Sequence, residues 1–267
     1  MAAIGGRFRP PLPGEHGAIV MTAAALMTPF AVVASTGLPD NGQLLAYAAF
    51  VGLVAVTLLF REALQRRHGT TDSTDRRRLT AIATGEAIAV IALSGLLVAL
   101  HDPVWIFGVL LVALVELDLR LRRHGWPVPF GGELSGVFAI SLAVPAAATL
   151  LELGEVRSIA GLWLLFLAFH VGSVLRVGMV LPARSDSASR RVVVVGLSYH
   201  VGLVVLAAVG WLAGWVGPAA PLVFAAGALR AGQSVRLGDG PVPLAVLGRA
   251  EGALSILFVV TAPWLLP

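Results

Sequence analysis

Apolar runs of membrane-crossing length, separated by short polar stretches, recur along the whole sequence. Nine can be marked, at residues 18–35, 44–60, 79–100, 104–119, 134–151, 159–181, 192–212, 218–232 and 244–265. Each is close to the roughly 20 residues that carry a helix across about 30 Å of hydrocarbon. The pattern predicts an all-α bundle of about nine transmembrane helices, forming a single integral membrane domain over residues 1–267. The eighth run is short. The ninth can start as late as Arg249, with 238–246 lying along the interface.

The polar stretches set the orientation. With the N-terminus in the cytoplasm they alternate inside and outside, and of 19 basic residues, all arginine, every one but Arg157 falls inside. The outer stretches instead carry Asp40, Asp102, Glu152 and Glu155. This is the positive-inside pattern, and nine crossings then place the C-terminus outside. The 61–78 stretch, with Thr70 to Asp75 ahead of Arg76-Arg77-Arg78, reads as a solvated and mobile loop.

Composition narrows the classes further. The chain is 57% hydrophobic and 13% charged, with a mean hydropathy of +0.88. A soluble domain carries about twice that charge. The pI near 10.8 would suggest nucleic acid in a soluble protein, but these arginines follow membrane topology, so no nucleic-acid partner is expected. No cysteine is present, which excludes disulfides, iron–sulfur ligation and thiolate metal sites. The first run follows Arg7 and Arg9 and reads as a retained signal anchor in the inner (cytoplasmic) membrane of a bacterium.

The chemistry lies in polar residues at the edges of the apolar runs. Even-numbered runs leave through arginine, at Arg61, Arg120, Arg176 and Arg230, and the odd-numbered runs that follow begin with Glu86, Glu133, His200 or Glu251. Glu15-His16 supplies the same chemistry ahead of the first run. A repeated two-helix unit of this kind brings acids, imidazoles and guanidinium groups to one side of the bundle. There they can line a polar pocket open to the cytoplasm, each arginine paired with a carboxylate. Arg176, His200, Arg230 and Glu251 form its expected floor, and Glu15, His16 and Glu133 its rim. Guanidinium suits carboxylates, phosphates and other oxyanions. The competing reading of each arginine is a snorkelling anchor, and of each first-turn glutamate a complement to the helix dipole. His170 and His200 fall at similar depth on the sixth and seventh runs. They could hold a haem or a metal, bond each other, or handle protons. No cofactor and no metal are expected.

The residues also resemble a family. Pro13-Gly14-Glu15-His16-Gly17-Ala18 is similar to the opening signature of the YwiC-like integral membrane proteins. Gly172-Ser173-Val174-Leu175-Arg176, Tyr199-His200, Leu229-Arg230 and Gly248-Arg249-Ala250-Glu251 are similar to its later blocks, so the resemblance runs over nearly the whole chain. Gly131-Gly132-Glu133 departs from it, standing where an Asn-Asp-like pair is expected. The resemblance implies an architecture, a residue set and an accessory role in company with respiratory proteins, but no reaction. A looser resemblance, in helix number and cytoplasmic cavity, is to the UbiA-type intramembrane prenyltransferases. Their Asp-rich pairs hold magnesium on a diphosphate, whereas the corresponding stretches here offer only Asp72 with Asp75, and Asp186.

The leading expectation is therefore non-enzymatic. The chain would bind or move a small anionic or amphiphilic molecule, or serve as an accessory to a membrane complex, in contact with membrane lipid. The alternative is a UbiA-like enzyme acting on a lipid or isoprenoid without the usual Asp-rich motifs.

Overall fold

The computed structural model describes residues 16–69, 73–100, 105–124, 131–180, 186–236 and 244–267. They form α1 (His16–Thr36), α2 (Asn41–Gly69), α3 (Ser73–Leu100), α4 (Trp105–His124), α5 (Gly131–Ser141), α6 (Ala143–Leu150), α7 (Val156–Val180), α8 (Asp186–Leu212), α9 (Ala219–Arg236) and α10 (Leu244–Thr261). A short 3-10 turn, Ala262–Trp264, follows. The fold is all-α among the described residues, and the apolar runs of the sequence fall on these helices.

Local sequence explains where several helices start and break. Asp40 and Gln43 close a reciprocal capping box at the head of α2. Gln43 N donates to Asp40 Oδ1 at 2.8 Å, and Asp40 N donates to Gln43 Oε1 at 3.0 Å. The fifth apolar run is split into α5 and α6. Pro145 has no N–H to give the carbonyl of Ser141, four residues earlier, so the helix breaks there. The Ser141 hydroxyl donates to Phe138 O at 2.8 Å, and Trp163 Nε1 of α7 donates to Ser141 Oγ at 2.9 Å. The break is thus pinned from the neighbouring helix.

The expected loop at 61–78 is corrected by the structure. α2 continues to Gly69 and α3 starts at Ser73, so most of that stretch is helical. Glu62, Ala63, Leu64, Gln65 and the arginines are all good helix formers, and a polar extension of a helix already nucleated in the membrane adds one bond per residue.

α2 lies along α3, α8 along α9, and α1 along α10, while α7 touches α5, α6, α8 and α9. One buried core gathers Phe166, Phe169, Phe224 and Phe258 with Leu162 and Val223; a second joins Tyr47, Phe50, Leu97 and Leu150. Large aliphatic side chains such as Ile91, Val112, Leu206, Leu222 and Ile256 point outward. Among the described residues, seven helical stretches are long and apolar enough to cross a membrane: Ala18–Thr36, Asn41–Phe60, Ser73–Leu100, Glu133–Leu150, Val156–Val180, Arg191–Leu212 and Val246–Trp264. An outward aliphatic surface on such helices is what lipid requires and what water would penalise.

The C-terminus is tied into the bundle. Gly217 N donates to Leu265 O at 2.8 Å, and a Cβ on Gly217 would overlap the carbonyl oxygens of Trp264 and Leu266. Gly214, just after α8, takes a φ of +71°, the left-handed turn that brings the chain back toward α9.

Candidate functional site

The site grows from one arginine. Arg176 lies about one turn, roughly 6 Å, inside the end of α7. Its side chain is 1% exposed. A charge at the centre of a membrane helix costs roughly 2.5–3.5 kcal/mol on insertion scales, less near an end, and one buried from water needs partners, so its partners decide what it can do. Nε donates to Glu251 Oε1 at 3.1 Å and Nη2 to Glu251 Oε2 at 2.8 Å, a two-pronged ion pair between α7 and α10. Nη2 also donates to Ser173 Oγ at 2.7 Å, from the preceding turn of α7. Nη1 meets His200 Nε2 of α8 at 2.8 Å. The guanidinium carbon stands 5.7 Å from the centroid of the Phe169 ring.

The hydrogen bonds fix the tautomer of His200. Nδ1 lies 2.7 Å from the carbonyl oxygen of Gly196, which can only accept. Nδ1 therefore carries the ring proton, and Nε2 keeps a lone pair for the Arg176 N–H. The same pattern recurs at His170, where Nδ1 donates to Phe166 O at 3.0 Å and Nε2 lies 3.5 Å from Ser255 Oγ. His170 is stacked on Phe166, with ring centroids 4.0 Å apart, and meets Phe169 edge-on. The two imidazoles, weighed as a haem or metal pair, each face a different partner. Among the described residues no group of three or more metal-ligating side chains is gathered.

Two glycines make room for the guanidinium. A Cβ on Gly172 of α7 would lie 3.1 Å from His200 Nε2 and 3.4 Å from Arg176 Nη1; one on Gly227 of α9 would lie 3.2 Å from Nη1. α7, α8, α9 and α10 thus converge on Arg176, at the end of the bundle where α7 and α9 finish and α8 and α10 begin.

Of the residues singled out in the sequence, the structure brings together Arg176, His200 and Glu251. Arg230, three residues past Gly227 on α9, is half-buried and donates to Gln233 Oε1 at 3.3 Å; it is not among the groups that bond Arg176 or Glu251. Glu133 lies in the first turn of α5 and is exposed. Glu15 lies outside the described residues, as does the side chain of His16, whose backbone starts α1. Val20, one turn along α1, sits 3.9 Å from where a Cβ of Gly252 would be, so α1 begins beside the α10 end of the site. Where an open hollow was expected, Arg176 is enclosed by its partners, and the exposed edge of the cluster is Glu251, at 14%. Gly172 and Ser173 stand in the sequence only as part of the block that resembles the family, with no role of their own, and Gly227 in none. Ser173 was within reach of a sequence argument, at the i−3 spacing that places it on the face of Arg176; two particular glycines among 30 had no such signal.

Fold and site define a multi-pass helical membrane protein with a buried charge cluster. The family described as YwiC-like protein matches residues 12–148, half of the chain, and the chain belongs to that family. The match ends within α6, so Arg176, His200 and Glu251 lie beyond it. No curated protein and no solved structure matches the chain.

Proposed function

We propose that this protein is a single integral membrane unit of nine crossings in a bacterial inner membrane, with a cytoplasmic N-terminus, that binds or moves a small anionic or amphiphilic molecule at Arg176. The observation that carries the reading is the arginine itself. A guanidinium 1% exposed in a membrane helix and paired with one partly exposed carboxylate gains little stability over an apolar contact, and intramembrane charges of this kind mark ligand pathways. Arginine also offers the forked donor edge that carboxylates and other oxyanions fit.

In this reading Arg176 is the anion contact, and Glu251 occupies it in the resting state. His200 and Ser173 hold the guanidinium in place, and Gly172 and Gly227 keep the space around it clear. Arg230, Glu133, Glu15 and His16 belong to the approach from the cytoplasmic side. The UbiA-type likeness plays no part, because the sequence has no Asp-rich pairs to hold a diphosphate.

The test is mass spectrometry of the small molecules that co-purify with the detergent-extracted protein. An anionic or amphiphilic species retained by the wild type and lost in an Arg176→Met/Glu251→Leu variant that still melts cooperatively supports the reading. The same species retained by both, or none on either, contradicts it.

A further inference from the structure

We infer that the ligand is a carboxylate that takes the place of the Glu251 carboxylate on Arg176, and that one proton enters Glu251 as it binds. The inference rests on the anion-binding reading above and adds its ligand class and its coupling. Glu251 is a carboxylate already seated on the guanidinium, with one oxygen on Nε at 3.1 Å and the other on Nη2 at 2.8 Å. A ligand carboxylate in the same place would find the same two donors, the Ser173 hydroxyl oxygen on Nη2 and the Phe169 ring alongside.

Charge supplies the coupling. With Glu251 ionised and His200 neutral, the cluster of Arg176, Glu251 and His200 carries no net charge. A second carboxylate arriving beside an ionised Glu251 would set two anions on one guanidinium in a low-dielectric site. A proton from water onto a Glu251 carboxyl oxygen removes that conflict. The displaced carboxyl becomes neutral, the ligand stays ionised on Arg176, and the one new O–H bond is balanced by the bond that the donating hydronium ion or buffer acid loses.

The geometry assigns the proton to Glu251 rather than to a neighbour. The titratable and charged residues on the elements around it are Arg157, His170 and Arg176 on α7, Asp186, Arg190, Arg191, Tyr199 and His200 on α8, Arg230 and Arg236 on α9, Arg249 on α10, and His16 at the start of α1. A proton on His200 Nε2 would point at an Arg176 N–H only 2.8 Å away. His170 is 2% exposed behind the aromatic core. Glu251 is the partly exposed member of the cluster.

The experiment is calorimetric titration of the full chain in detergent micelles with acetate and, separately, decanoate, in two buffers of different ionisation enthalpy and at two pH values one unit apart. Uptake of about one proton per bound carboxylate, with wild-type Kd rising about tenfold per unit of increasing pH, is expected. Glu251→Gln should bind with no proton uptake and a flat Kd. Acetate binding identifies a free small acid; binding of decanoate alone identifies an amphiphile drawn from the lipid phase. Infrared difference spectra with a carboxyl-labelled ligand read, on the wild type itself, which carboxyl holds the proton. Carboxylate binding without proton uptake, or with the proton on the ligand, overturns this inference and leaves the anion site standing. No binding of either probe defeats the underlying reading as well.

Discussion

Arg176 and Glu251, on α7 and α10, meet edge to edge through two hydrogen bonds of 3.1 and 2.8 Å although 75 residues separate them in the chain. The pair closes a four-helix junction that His200 completes from α8 and Gly227 from α9. Removing one partner strands the other charge, whereas removing both leaves an apolar contact of similar volume. Glu251→Leu or Arg176→Met alone should cost about 3–5 kcal/mol, and the double variant Arg176→Met/Glu251→Leu should recover most of the loss. Thermal unfolding of the detergent-solubilised variants checks this, with the double variant expected to melt above both singles.

Gly172 and Gly227 should not tolerate alanine, despite the usual gain of alanine over glycine in a helix. That gain is about 0.5–1 kcal/mol. A Cβ 3.1 Å from His200 Nε2, or 3.2 Å from Arg176 Nη1, presses on groups pinned by hydrogen bonds on several sides. We expect Gly172→Ala and Gly227→Ala to be destabilised by about 1–3 kcal/mol. Gly202→Ala, on open ground in α8 with nothing within 4 Å, should be neutral or slightly stabilised. Melting temperatures of the three variants decide the matter.

Much of the scaffold was legible in the sequence because hydrocarbon thickness imposes a length on every apolar run, and the runs at 18–35, 79–100 and 192–212 all fall on helices. The break between α5 and α6 follows from Pro145, yet the run around it is uniformly apolar and gave no reason to divide it. The polarity of the 61–78 stretch suggests a loop, while its glutamine, alanine and arginines favour helix once α2 is under way. At the site, the contrast of a charge within an apolar run picked out Arg176, His200 and Glu251. Which charge pairs with which depends on how α7 and α10 are rotated against each other, and periodicity alone does not give that. Arg230 carries the same contrast, but its described bond is to Gln233 in its own helix.

Tyr47 ties α2 to α1, its hydroxyl donating to Leu26 O at 3.0 Å, three residues ahead of Pro29. Hydrogen bonds between membrane helices average about 0.6 kcal/mol and stay under about 2. Tyr47→Phe should therefore lower stability by that modest amount and leave ligand binding unchanged. A denaturant titration alongside the binding assay reads both.

The orientation can be tested on a natural background, because the chain has no cysteine. Single cysteines at Thr36, at Asp75 and at Glu155 can be labelled in intact cells with a membrane-impermeant maleimide. Nine crossings from a cytoplasmic N-terminus predict labelling at Thr36 and Glu155, and protection at Asp75 until the membrane is opened. Labelling of Asp75 from outside would invert the arrangement.

The most direct test of the site is to compare equilibrium binding of acetate and decanoate to the wild type and to the folded Arg176→Met/Glu251→Leu protein. Carboxylate binding by the wild type, lost in a double variant that still melts cooperatively, is the predicted result. Equal binding by both proteins, or none by the wild type, would reduce the Arg176–Glu251 pair to a structural clamp between α7 and α10.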